Sequence, residues 1–247
     1  MSFSPETQQI IAEVERLSER PVHVEEDPTL KVLANVTMAR GAAPAHFVRY
    51  QPGNPGADYL VAFQLGFVVR LFSCPLEARV DVSSTQEEQR AATLGLGMTD
   101  LPPELESFLR NSVITQLRTC PVGMRVDRWI RETFPGLHAA QVLVAKQQLR
   151  QNEAALNPDL RSRFPKPLVT VNTAMNAAFA AFWAAELDEP RLSIPYSVLG
   201  ADKIGRSLLA QLDEIPDEPA RDRDLIDGWA QLLGLTGHYH FKPHTLS

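Results

Sequence analysis

One stretch constrains this chain more than any other: Tyr59 to Phe72, where Arg70 is the only charged residue and Gln64 the only other strongly polar one. A helix apolar around nearly its whole circumference cannot sit on a surface, because it would leave hydrocarbon in water on every side. The run is shorter than the ~18 to 20 residues a bilayer span needs, so it is expected to be a central core helix. The Pro52-Gly53-Asn54-Pro55-Gly56 turn precedes it, and Asp58 is the expected N-cap.

The segments around that helix read as a small α+β arrangement. Ser4 and Pro5 open a first helix whose Ile10, Ile11, Val14 and Leu17 share a face, and Pro21 ends it. Short runs at Val22 to Glu25, Leu30 to Met38 and Phe47 to Gln51, separated by Pro28 and by Gly41-Ala42-Ala43-Pro44, predict one small antiparallel or mixed sheet. Ser83 to Arg90 reads as a loop or short polar helix, followed by Gly95, Gly97 and Pro102-Pro103. Beyond these the pattern predicts helices at about 104–118, 122–133, 137–156, 172–187, 199–212 and 222–234. Met175, Phe179, Phe182 and Trp183 form one core face, and Leu225, Ile226, Trp229, Leu232 and Leu233 another. The expected architecture is α+β and predominantly α-helical, with an α+β lobe over 1–98 and a helical lobe over 99–247.

With 44% hydrophobic and 22% charged residues, the composition is that of a folded globular chain. A net charge of −6 and the lack of any dense Lys/Arg run argue against nucleic acid as the partner. Cys74 and Cys120 make neither a disulfide framework nor a paired-Cys metal motif, which fits a reducing compartment. Met1 to Arg20 is polar and helix-patterned rather than a secretory core, so the expected location is the cytoplasm, with no membrane partner.

The central helix also carries a motif without its chemistry. A buried helix that follows a small sheet is where zincin metallopeptidases place His-Glu-x-x-His: two imidazoles one turn apart grip a zinc ion, and the Glu polarises its water. Here the register reads Phe63-Gln64-Leu65-Gly66-Phe67, preceded by Ala62. Over about residues 1–75 the chain resembles the ImmA/IrrE-type zincin metallopeptidases, in element order and in Ala62 and Gly66. The resemblance implies that Phe63 and Phe67 replace both zinc-binding histidines and Gln64 the general base, while Gly66 is kept. It also makes Asp127, on a downstream helix, the vestigial third-ligand position. Independently of any family, phenylalanine cannot ligate a metal and an amide cannot take a proton at neutral pH. Buried, the two rings would each contribute about 1.5 to 3 kcal/mol of apolar burial.

Other candidates are set by residue type alone. Asp127 lies between Arg125 and Arg128, and its simpler reading is a surface ion pair. His238, His240 and His244 form the densest imidazole cluster, and His-x-His on an extended strand would turn two rings to one side. His46, just before a strand, reads as a hydrogen-bonded or core histidine. Cys120, before Pro121, has no sequence-adjacent His to activate it. No Gly-rich phosphate loop or Gly-x-Ser-x-Gly turn is present.

The leading expectation is a non-catalytic, pseudo-metallopeptidase-like regulatory or protein-interaction module in a bacterial cytoplasm, with no cofactor and another protein as partner. Two alternatives stand beside it. One is a metal-dependent hydrolase using His238, His240 and either His46 or Asp127, with His244 as a further possible ligand. The other is a structural or assembly subunit.

Overall fold

The computed structural model describes residues 3–245. It is α+β and predominantly helical, 65% helix with a three-stranded and a two-stranded sheet. The chain forms two compact units. Within the described residues, one comprises 3–81, 125–146 and 243–245, and the other 82–124 and 147–242.

The first unit opens with α1 (Pro5–Ser18), capped as its sequence predicts: the Ser4 hydroxyl accepts from the Thr7 amide, and Pro5 occupies the first turn. Three strands follow, β1 (Val22–Glu26), β2 (Ala34–Thr37) and β3 (His46–Tyr50). Their order is β1-β3-β2, with β3 parallel to β1 and antiparallel to β2, so Val24 and Val36 both register against Val48. The strand period of two puts His46, Val48 and Tyr50 of β3 on the buried face.

The apolar stretch forms α2 (Ala57–Ser73). Its Leu60, Val61, Ala62, Leu65, Val68 and Phe72 pack with Ile10 and Val14 of α1 and with Val48 and Tyr50 of β3. Gly56, not Asp58, is the N-cap residue. Asp58 lies inside the first turn, where its carboxylate accepts from the Ser4 amide at 2.7 Å and thereby joins the starts of α1 and α2.

Pro121 was expected to separate two helices, yet α4 (Pro103–Thr133) runs through it for 31 residues. Proline removes one i→i−4 hydrogen bond, here the one to the Leu117 carbonyl. Buried apolar residues before and after it, Leu117 and Val122 among them, keep the helix bound along its length. After α4, α5 (His138–Ala154) adds Val144 to the first unit's core.

The second unit is helical. Its members are α3 (Gln86–Gly95), the first part of α4, the end of α5, α6 (Pro158–Arg161), α7 (Lys166–Glu186), α8 (Ile194–Val198), α9 (Asp202–Glu214) and α10 (Asp222–Leu233). The polar stretch after Ser83 is thus helical, and Thr85 begins α3 with a full capping box to Glu88. Met175, Phe182, Trp183, Leu225, Ile226 and Trp229 are buried as expected, whereas Leu232 is exposed. Gly205 brings α9 so close to α7 that an added Cβ would lie 2.8 Å from Ala177 Cβ and 2.9 Å from the Ala177 and Ala178 backbone.

By length and composition α7 is long and apolar enough to cross a membrane. Of its most apolar window, 61% is buried inside the protein, as in the core helix of a folded unit. A second sheet was also not expected: β4 (Val80–Ser83) pairs with β5 (His240–Pro243).

Candidate functional site

The Phe63–Phe67 stretch lies within α2. Tyr59, Phe63 and Phe67 lie one turn apart, with ring centroids 5.7 Å and then 5.2 Å from one another. Both phenylalanines are half-buried, so each gains only part of the burial energy expected of a sealed ring. Gln64 is also half-buried, and Gly66 is buried against α4. A Cβ at Gly66 would fall 2.3 Å from Val126 Cγ1, so glycine here sets how closely the two helices approach.

Asp127 follows Val126 and is not the surface ion-pair residue of the simpler reading: it is 3% exposed. The Tyr59 hydroxyl donates to its Oδ1 at 2.5 Å, and the Gln141 amide donates to the same oxygen at 3.1 Å and to the Asp127 carbonyl at 2.8 Å. Burial first, and then the neighbouring Asp127 charge, push the Tyr59 hydroxyl well above the usual tyrosine range, so it stays a donor. Asp127 is thus hydrogen-bonded to a residue of α2 itself.

A second cluster in the same unit involves residues that sequence reasoning treated separately. His46 is fully buried, and its Nδ1 accepts from the Ala39 amide at 3.1 Å. The ring is therefore neutral, with its proton on Nε2. His244, 2% exposed, faces Asp81 Oδ2 through Nδ1 at 3.0 Å, and Arg40 donates to Asp81 Oδ1 at 2.7 Å. Both imidazoles meet Phe72 edge-on, at centroid distances of 5.4 and 5.6 Å. Neither Nε2 has a hydrogen-bond partner among the described residues, and each such buried polar atom costs on the order of 1 to 3 kcal/mol. Burial first, then the positive potentials of His244 and Arg20, lower the pKa of His46 to about 4. Asp81 carried no signal of its own in the sequence, because its role depends on a histidine far along the chain.

The other two candidate histidines, His238 and His240, belong to the second unit. His238 precedes β5, with its amide bonded to the Leu235 carbonyl in a turn, so only His240 lies in the strand. The His238 ring is buried beside Gly95, where an added Cβ would meet it at 2.9 Å, and burial lowers its pKa. His240 Nδ1 lies 2.7 Å from Glu88 Oε2. Both rings thus face α3. His46, His244 and Asp127 belong to the first unit instead. Among the described residues no group of three or more His, Cys, Asp or Glu side chains is placed to hold a metal ion. Cys74 is buried, with its thiol donating to the Arg70 carbonyl at 3.4 Å, and Cys120 is half-buried.

No protein-family model, no curated protein and no solved structure matches this chain.

Proposed function

We propose that this protein is a non-catalytic regulatory or protein-interaction module, built like a metallopeptidase whose metal chemistry has been replaced by packing, and that it acts on another protein in a bacterial cytoplasm. The observation that carries the reading is the Tyr59–Asp127 hydrogen bond at 2.5 Å, one turn from the Phe63–Phe67 ring pair. A working zincin needs a carboxylate and two imidazoles free to face an ion. Here the carboxylate accepts a phenol and an amide, and hydrocarbon stands in the two imidazole positions. Gln64, in the general-base position, has no basic atom to take a proton from water.

The test is elemental analysis of the purified chain after incubation with excess zinc and desalting, alongside a peptidase screen. The expected result is neither zinc held by the Phe63–Phe67 segment nor peptide cleavage. Stoichiometric zinc that disappears on Asp127→Asn would overturn the proposal. The interaction half is checked by capture from the native host with the tagged chain, which should yield a partner that binds the purified protein directly. A chain that recovers no direct binder fails that half.

A further inference from the structure

The segment Pro243–Thr245 is held to the first unit through one buried side chain. Pro243 and Thr245 are exposed, while His244 is 2% exposed. Its ring meets Phe72, its Nδ1 faces Asp81, and its amide donates to the Arg79 carbonyl at 2.9 Å. Next to it, the Gly41 amide donates to the Thr245 carbonyl at 3.1 Å. Arg40 and Gly41 belong to the loop between β2 and β3, the loop that Ala39 closes by donating to His46.

We propose that His46 is a proton-operated latch for this segment: neutral, it leaves Pro243–Thr245 docked on Phe72 and Asp81, and on gaining a proton it releases them while the core of α1, α2 and the sheet stays folded. The geometry gives two reasons. A second proton on His46 must go to Nδ1, which turns the acceptor of the Ala39 bond into a donor and sets two N–H groups against each other. The new charge also appears in a pocket already rich in positive groups. His244 shares the Phe72 ring with His46, Arg79 lies over that ring at 4.9 Å, Arg20 adds its potential, and Arg40 and His244 already draw on Asp81. From α2 the contact is Phe72, which offers no charge to compensate. The cheapest relief is for His244, a single plug with an unpaired Nε2, to leave.

The experiment is amide hydrogen exchange on the full chain, read by NMR at about pH 7 and about pH 4.5 and expressed as protection factors. The His244 and Gly41 amides report the segment, and helix and sheet amides such as Leu65 and Val48 report the core. If the released state has an ordinary histidine at position 46, protection at His244 and Gly41 should fall roughly 60-fold on acidification, with core protection retained. In His46→Asn the side-chain oxygen takes the place of Nδ1 and cannot titrate, so the segment should stay protected at both pH values. Should that variant not fold, the parent alone decides: the loss of His244 protection must begin near about pH 6.5 and level off at the NMR titration midpoint of His46. Loss of segment and core protection together, or an unchanged loss in His46→Asn, would overturn the latch.

Discussion

Replacing Gly66 by alanine sets two opposed effects of known size against each other. In an isolated helix the change favours folding by about 1 kcal/mol, since glycine has more backbone freedom to lose. In this protein the new methyl would fall 2.3 Å from Val126 Cγ1 and 3.3 Å from its Cγ2. Carbon pairs settle near 3.5 to 4 Å, so roughly 1 Å of separation between α2 and α4 is required. Val126 is fully buried, and a β-branched side chain in a helix has essentially one χ1 to use. Overpacking of this kind costs about 1 to 3 kcal/mol, so the net expectation is a loss of up to about 2 kcal/mol. Urea unfolding followed by circular dichroism at neutral pH measures it. Val126→Ala removes the clashing atom, and its cost should be about 1 to 2 kcal/mol smaller in the Gly66→Ala background than in the parent. A Gly66→Ala protein stabilised by the full helix-propensity gain, or a double-mutant cycle with no coupling, would show that α4 does not press on Gly66.

Three further outcomes follow from the same geometry. Stability should decline as pH is lowered from about 6.5 toward 4: the unfolded chain protonates His46 near 6.5 and the folded one only near about 4, so the unfolded state binds more protons across that window. The loss attributable to His46 is about 2 to 3 kcal/mol, and denaturant midpoints taken through the window should lose that slope in His46→Asn. Tyr59→Phe deletes the donor to a buried carboxylate and should cost about 1.5 to 3 kcal/mol by calorimetry or urea titration; a neutral result would mean that other groups satisfy Asp127. Gly205→Ala should destabilise the α7–α9 packing more than Gly66→Ala affects α2–α4, because its new methyl meets backbone atoms that cannot rotate away; thermal melts of the two variants rank them.

Some of this protein was legible in the residues because the relevant physics is local. The run from Tyr59 to Phe72 has no polar face, so it lies at the centre of its unit. Ser4-Pro5 starts α1, and the alternation in β3 turns His46, Val48 and Tyr50 inward. The residue types at Phe63, Gln64 and Phe67 already excluded zinc ligation and base catalysis there. What the sequence leaves open depends on distant partners. Nothing in the local pattern of Val80–Ser83 announces a strand that pairs with His240–Pro243, or an Asp81 that binds His244 and Arg40. Asp127 lies between two arginines in the chain, which suggested an exposed ion pair, but helix packing buries it against Tyr59 and Gln141. Pro121 signals a helix end by its missing N–H, yet one lost hydrogen bond is small beside the apolar contacts on either side of it. Periodicity records which side of an element is buried, and only the assembled chain determines which groups meet there.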